Sequence, residues 1–576
     1  MSWTRCSEEL LAKLISQFCS EALLTPVRGR LELGSVVYTF EYVEGAFATY
    51  RVRPGSVQRT TAGILGNDES EPAVDPLQFM LDAADVLGLD GPTLAGYMAE
   101  LSSTLAADVR MAETALPAAE LADLHHTQLE GHLTGHPILV ANKGRLGFSA
   151  SDSARYTPEA RTPLRLVWLA VRRGLAEFRG TPDLSEHSVV GRELGSDALD
   201  AFRSQLADPD SYVWLPVHPW QLDHVVRTQW SRELATGEIV VLGEGPDEYL
   251  PTQSIRTMVN VTQPGRYQVK LPLKILNTSV YRGIPIHCTL AAPMLTQWLR
   301  GLWYRDEVIQ SLGAELLGEV ASVTVRHPQL AAAPGIPYQW TETLGCIWRD
   351  PLEPRLRPGE TAWPLAAVLH VDPTGEPLVT TYIKRSGVDP EVWISHLLST
   401  ILRPLLHLLH HYGITVNPHG ENLAIICDRS GLPSRLVVKD LVDDVNLSTV
   451  PIAERGMEPD SHDRVLPRKP WQVLRQYMVD ALFLGVLNPL STLIPDVDLW
   501  GFVRGELDLY TANNPHLATR LEATALTGET FTRYPLNGYR LTLGYTDLDT
   551  RPPIPKAGTL PNPLHSATPR TAARGK

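Results

Sequence analysis

The sequence predicts an α+β protein of several domains, and three observations lead there. At 576 residues the chain exceeds what one hydrophobic core organises, so about two to four domains are expected. Its middle third alternates short apolar runs with turn residues, the mark of strands. Its last third carries long apolar repeats at helical spacing. A central, mainly antiparallel β region between helix-rich ends follows. Composition shifts put the boundaries near residues 155 and 360.

Each element has its own signal. Residues 7–24 place Leu10, Leu11, Leu14, Ile15, Phe18 and Leu23 on one helical face. Residues 29–52 switch to strand character, with a break at Glu44-Gly45. From 75 to 128 the chain is Ala/Leu-rich and helical, with Asp75 as N-cap and Pro76 at the first helical position. Gly88, Gly91, Pro92 and Pro117 interrupt it. A loop over 131–145 leads to an expected helix at 162–178. Strands are expected at 212–217, 238–242, 253–261 and 268–279, helices at 291–303 and 306–317, and strands near 346–349, 366–371 and 378–383. The remainder reads as helices at 390–412, 471–487, 499–512 and 515–524. Residues 551–576 are rich in Pro and Ala, with basic and no acidic side chains, and read as a disordered tail.

Bulk properties exclude several function classes. A net charge of −14 argues against nonspecific nucleic-acid or anionic-membrane binding, which needs a basic face. The five cysteines are scattered with no C-x-x-C pair, so neither a disulfide framework nor a zinc ribbon is expected. A cytoplasmic location is expected on that ground. Glu8, Glu9 and Lys13 stand where a secretory signal needs an apolar core, and no run of membrane-spanning length is apparent. P-loop, dinucleotide-fingerprint and nucleophile-elbow motifs are absent, so a bound nucleotide implies a less common fold.

The chemistry is expected in residues 417–444. A turn carrying His419, Glu421 and Asn422 precedes the apolar strand Leu423–Cys427, a Gly/Pro turn, and a second strand ending at Lys439 and Asp440. A hairpin brings the loop before its first strand to the end of its second, so His419, Asn422 and Asp440 converge. An Asn amide oxygen and an Asp carboxylate are hard ligands suited to Mg²⁺, which also takes phosphate oxygens. An ordinary hairpin with polar ends is the plainer alternative.

Four further groups stand out. Gly135-His136-Pro137 and Asn142-Lys143-Gly144-Arg145 put a histidine and two cations in one loop, suited to an anion or merely to solvent. Strand alternation puts Ser254 and Arg256 on one face, and Lys270, Lys274, Thr278 and Arg282 share even spacing. Such a cationic, hydroxyl-bearing face suits a triphosphate, although Pro272 interrupts the run. His218, at a strand-to-helix junction before Pro219, reads as structural. His407, His410 and His411 share a helix face but lack the H-E-x-x-H glutamate, so they read as helix histidines rather than a zinc site.

Taken together these words resemble the IucA/IucC, or aerobactin-synthetase-like, family of siderophore synthetases that work independently of nonribosomal peptide synthetases. The matching words are G-H-P at 135–137, N-K-G-R-x-G-F at 142–148, Y-x-P-E at 156–159, V-H-P-W-Q at 217–221, S-x-R-T at 254–257, Lys270, T-S-x-x-R at 278–282, and H-G-x-N at 419–422 with Asp440. The resemblance implies a cupped hand: a thumb over 1–155, mainly helical with a small sheet; β-rich fingers over 156–360; and a helical palm over 361–550. It implies adenylation of a polycarboxylic acid, best citrate, by ATP and Mg²⁺. Capture by an amine, hydroxylamine or alcohol then releases AMP, after pyrophosphate has left. Carried over by motif, Ser254, Arg256, Thr257 and Lys270 would hold ATP phosphates, with Asn422 and Asp440 near Mg²⁺. Thr278, Arg282 and His419 would grip the carboxylate, and His136, Lys143 and Arg145 would line the same cleft. His136 and His419 are the candidate general bases by pKa range. A homodimer is implied as well. Two positions depart from the family: Glu421 stands where Gln is usual, and Lys439 where Arg is usual.

Two other readings compete. A kinase-like phosphotransferase would use His419, Asn422 and Asp440 and release ADP, but no V-A-I-K lysine is visible upstream. A nonenzymatic binder of anionic chelates would use the same cations without turnover.

Overall fold

The computed structural model describes residues 2–61, 69–459, 464–548 and 552–571. The N-terminal helix Ser2–Ser20 buries Leu10, Leu11, Leu14, Ile15 and Phe18, the face its apolar spacing defines. It packs with small antiparallel sheets drawn from residues 30–72 and with helices Pro76–Ala83 and Gly91–Glu113. The Asp75 carboxylate accepts from the Leu77 N–H at 2.8 Å, which caps the first of these helices and leaves Pro76 inside it.

The centre is an eight-stranded sheet in which every neighbouring pair is antiparallel. Strand Leu164–Arg172 lies next to one edge of it, between Ile239–Pro251 and Tyr212–Val217. The helix expected at 162–178 is therefore wrong. Leu164–Arg172 is buried at Leu166 through Val171, so its apolar run records cover on both faces rather than a helical stripe. Strand Glu319–Val325, buried at every position, and helix Glu186–Arg203 have no counterpart in the sequence reading.

Helix Pro390–Tyr412 runs through the largest core. By length and composition it could cross a membrane, but it is mostly enclosed by protein. Beside it stands a four-stranded sheet ordered Glu315–Leu316, Pro433–Val438, Leu423–Cys427 and Thr361–Pro364. The strands expected at 366–371 and 378–383 are not strands. Leu365–Leu369 forms a 3-10 turn and Leu378–Ser386 a helix with Leu378, Val379, Thr381 and Ile383 buried. The helix read over 471–487 changes character at Met478–Leu487, which winds as a π-helix.

The expected disordered tail is corrected over residues 552–571. Thr559–Pro561 pairs with Thr530–Thr532, and Leu564 is fully buried in the following helical turn. Residues 551 and 572–576 lie outside the described residues. The five cysteines are buried and unbridged.

Candidate active site

The hairpin forms as its sequence dictates. Leu423–Cys427 and Pro433–Val438 pair antiparallel, and Leu423 stands opposite Val438. The Lys439 N–H then donates to the Asn422 carbonyl at 3.1 Å, so the loop before the first strand and the end of the second are joined. Gly420 suits a close approach: a Cβ would lie a tight 3.0 Å from backbone atoms of Ala366, whose N–H donates to the Gly420 carbonyl. Asp440 follows with φ of 67°, a left-handed turn that swings its carboxylate off the strand line.

That carboxylate meets the large sheet. Lys270 Nζ donates to Asp440 Oδ1 at 2.5 Å, and Arg349 donates to the same oxygen at 2.9 Å. Glu319 completes the group, 3.6 Å from Lys270 and 3.4 Å from Arg349, while its other oxygen accepts the Val442 N–H at 2.9 Å. Burial favours the neutral acid, but Lys270 and then Arg349 outweigh it and hold Asp440 well below the usual carboxylate range. Lys270 is correspondingly raised: burial alone would lower it, and Asp440 and Glu319 reverse that.

Asn422 faces the same edge. Its amide nitrogen donates to the Asn417 carbonyl at 3.3 Å and to Asp444 at 3.0 Å, which leaves its oxygen as a hard acceptor. Asp444 is shifted upward, by burial and then by the charge on Asp440. Asn422, Asp440 and Asp444 thus stand together at this edge, linked by the Asn422–Asp444 hydrogen bond and the Asp440–Asp444 charge interaction.

The phosphate-binding candidates separate into two kinds. Thr257 is buried and pairs across the sheet with Lys270. Ser254 and Arg256 do not alternate along a strand as expected. They sit in a turn about Ile255, whose φ is 64°, and the strand begins only at Thr257. The Arg256 guanidinium donates to the Gly283 carbonyl and lies within electrostatic range of Lys270 and Asp440. Nor do Lys270, Lys274, Thr278 and Arg282 share one strand face. Leu273–Asn277 folds back on Val280–Arg282 through Thr278, and Lys274 instead caps the ring of Trp340.

His136, His419 and Arg282 lie within electrostatic range of one another. Burial pushes His136 down to about 3, helped by His419, Lys13 and Arg282; burial also lowers His419. Arg282 donates to the Thr278 hydroxyl at 2.5 Å. Both histidines have Nδ1 engaged as acceptor: His136 from the Ile138 and Leu139 N–H groups at 3.3 and 3.2 Å, His419 from the Glu421 N–H at 3.1 Å. A neutral imidazole so held carries its proton on Nε2. Each is thus built as a donor, which argues against the general-base role expected of them.

Lys143 and Arg145 have other partners. Lys143 is buried against Asp108 at 2.8 Å and the Thr134 carbonyl at 2.6 Å, and Arg145 is buried against Glu159. Neither cation is presented to an incoming anion by this geometry. His218 is the buried cap of the short helix after Pro219, as read, accepting from the Trp220 N–H at 3.1 Å. His407 is not a surface histidine; it is buried 2.8 Å from Asp306.

Sequence reasoning missed Arg349, Glu319, Asp444, Glu130 and Lys13. Glu130 lies 3.6 Å from Lys439 and accepts the Gln253 N–H at 2.7 Å, which ties the hairpin to the Ser254 turn. A lysine at 439, where arginine is usual, still makes that contact. The Lys270–Glu319 pair joins two strands, unlike the strand-to-helix pair of a kinase.

Comparison with known proteins agrees with this geometry. Residues 125–370 match the IucA / IucC family, and residues 391–548 match the ferric iron reductase FhuF-like transporter family. The rhizobactin siderophore biosynthesis protein RhbF of Rhizobium meliloti is 36% identical over 98% of this chain and 96% of its own length. An aerobactin synthase of Escherichia coli is 32% identical over 82% of each chain. Among solved structures, aerobactin synthetase IucC from a hypervirulent pathotype of Klebsiella pneumoniae superposes with a TM-score of 0.86 at 27% identity, covering 99% of both chains. The ordered motifs, the antiparallel sheet with its hairpin and these full-length likenesses lead to one conclusion: the chain belongs to the IucA / IucC family.

Proposed function

We propose that this protein is an ATP-dependent siderophore synthetase. It joins a polycarboxylic acid, best citrate, to an amine, hydroxylamine or alcohol. The observation that carries this reading is the meeting of Lys270, Arg256 and Arg349 with Asn422 and Asp440 at one edge, with His136, Arg282 and His419 grouped within electrostatic range of one another.

In this reading Ser254, Arg256, Thr257 and Lys270 receive the ATP phosphates. Asn422, Asp440 and Asp444 are the residues that would hold Mg²⁺, which would supply charge neutralisation for the triphosphate. Arg282, with Thr278 beside it, orients a carboxylate of the acid. The Nε2–H groups of His136 and His419 steady its remaining oxygens, a role for donors rather than bases. The aligned carboxylate oxygen attacks the α-phosphorus, an O–P bond forms, and the bond to pyrophosphate breaks. The nucleophile's nitrogen or oxygen then attacks the acyl carbon, loses a proton to solvent, and AMP departs. Positioning supplies much of the rate in both steps. The names of the relatives, a rhizobactin biosynthesis protein and an aerobactin synthase, support siderophore assembly as the purpose.

A pyrophosphate-release screen of acids against diamines, amino acids and hydroxamates tests this. Acid alone should release at most one pyrophosphate per site, acid and nucleophile together should drive continuous release of AMP and pyrophosphate, and hydroxylamine should capture the adenylate as a hydroxamate. ADP as the product would overturn the reading in favour of a phosphotransferase. Ligand binding indifferent to ATP would favour a chelate-binding protein.

A further inference from the structure

His125, His126 and Glu353 form a cluster of their own, outside the residues assigned above. The histidines open the short helix His126–Glu130, with His125 as its N-cap. Glu353 opens the 3-10 turn Glu353–Arg355, just after strand Gly345–Arg349. The two imidazoles lie side by side, with ring centroids 4.2 Å apart. Both turn Nδ1 toward Thr127. His125 accepts the Thr127 N–H at 3.4 Å, and Nδ1 of His126 stands 3.4 Å from the Thr127 hydroxyl. Both therefore turn Nε2 toward the Glu353 carboxylate. His125 Nε2 meets Oε1, and His126 Nε2 lies 4.0 Å from Oε2. One donor atom from each residue falls within 4.8 Å of the other two.

The His126 side of this arrangement is incomplete. Its Nε2 is buried and has no hydrogen-bond partner among the described residues. The 4.0 Å gap to Glu353 is too long for a hydrogen bond. A buried nitrogen facing a carboxylate oxygen across such a gap costs free energy unless something joins them. An Nδ1–H donated to the Thr127 hydroxyl leaves a lone pair on Nε2. Burial, helped by His125 and Lys439, pushes the ring down to about 3, so it is neutral at physiological pH, as a ligand must be. An ion midway across the gap would stand about 2.0 Å from each atom, the length of a zinc–nitrogen or zinc–oxygen bond. His125 Nε2 completes a set of two imidazoles and one carboxylate, which suits transition metals rather than Mg²⁺ or Ca²⁺. The His125 side chain is 41% exposed, so its ring proton can pass through solvent from Nε2 to Nδ1 as an ion binds, at the expense of the long contact with Thr127. The group Asp306, His407 and His411 is not comparable. There the Tyr412 hydroxyl and His407 share one Asp306 oxygen, and the Ile309 N–H takes the other.

We propose that His125, His126 and Glu353 bind one divalent transition-metal ion of the Zn²⁺ or Fe²⁺ class. The assignment does not depend on the ligase reading above. The ion would tie the helix His126–Glu130 to the turn that follows Arg349. Glu130 ends that helix 3.6 Å from Lys439, and Arg349 donates to Asp440. The tie would thus brace both flanks of the candidate active site from outside it.

The test is calorimetric titration of the full-length protein, stripped with EDTA, with zinc sulfate. The wild type should take up one equivalent with a Kd of about 1 µM or tighter, and excess magnesium chloride should not displace it. His125→Gln, His126→Gln and Glu353→Gln should each weaken binding by about tenfold or more. His187→Gln, an exposed histidine on the helix Glu186–Arg203, should leave it unchanged. Zinc should raise the melting temperature of the wild type, and the rise should shrink in His125→Gln. Because His125 is exposed, that variant decides the matter should His126→Gln not fold. No uptake by the wild type, uptake unchanged in His125→Gln or Glu353→Gln, or displacement by magnesium would each overturn the assignment.

Discussion

Lys270 Nζ stands 2.5 Å from Asp440 Oδ1, and the two residues come from different sheets. Lys270 belongs to the eight-stranded sheet, and Asp440 ends the hairpin. Arg349 shares the same oxygen, and the two cations together keep the carboxylate ionised. Asp440→Asn should cut pyrophosphate release at least a hundredfold and raise the Mg²⁺ concentration needed for half-maximal rate. Lys270→Met should cost a comparable rate and raise KM for ATP. Asp440 and Glu319 keep Arg349 as a partner in Lys270→Met, so urea denaturation should record a loss smaller than the about 3–5 kcal/mol of a buried charge left wholly unpaired.

Arg282→Ala should act on the acid. Its guanidinium is steadied by Thr278 and converges with His136 and His419. Initial-rate measurements should give a KM for the carboxylic acid raised at least tenfold, with KM for ATP altered less than threefold. The reverse split would assign Arg282 to the nucleotide.

Arg145 and Glu159 make the opposite prediction. Both are buried and paired with each other. Arg145→Ala should destabilise the fold by about 3–5 kcal/mol because Glu159 loses its counter-charge. Substrate KM values of the folded fraction should stay within twofold of wild type. A large rise in KM for the acid without loss of stability would restore the substrate role read from sequence.

Acid sensitivity should begin near neutrality. Burial holds His126, His136 and His218 at about 3 each, against about 6.5 in an unfolded chain. Below that unfolded value the unfolded state binds more protons than the folded one, so stability falls as pH falls. Each such histidine contributes a slope of about 1.4 kcal/mol per pH unit between about 6.5 and 3. Glu193, Asp444 and Asp480, raised to about 7 by burial, bind protons in the folded state first and oppose this slope between about pH 7 and 4, so the fall in melting temperature below about pH 7 should be less steep than the histidines alone would give. His218→Gln should make it shallower still. Depressed carboxylates such as Asp440 lose their contribution in a lower window, below about pH 4.

The hairpin was legible because its determinants are local: two apolar runs, a Gly/Pro turn and polar ends within 28 positions, residues 417–444. The far side of the site was not. Glu319 and Arg349 stand opposite each other because strands Glu319–Val325 and Gly345–Arg349 pair antiparallel, and they reach Lys270 because Gly345–Arg349 also pairs with Gln268–Lys270, remote in sequence. Strand pairing of that kind leaves no periodic trace. Leu164–Arg172 was misread because a strand covered on both faces loses its alternation. The charges on Lys143 and Arg145 were visible, but the acids that neutralise them, Asp108 and Glu159, lie 35 and 14 positions away. The ordered tail escaped because its Pro-rich composition hides a short strand and the buried Leu564.

Glu315 and Leu316 run parallel to Val437 and Val438 of the hairpin, and from Glu319 the same chain becomes a strand of the large sheet. A single rung of backbone is thus common to both supports, and the lysine side and the aspartate side of the catalytic edge are welded within a few residues. They cannot drift apart without tearing hydrogen bonds. The two halves of the candidate site therefore keep a fixed separation, set by backbone rather than by the charges they carry.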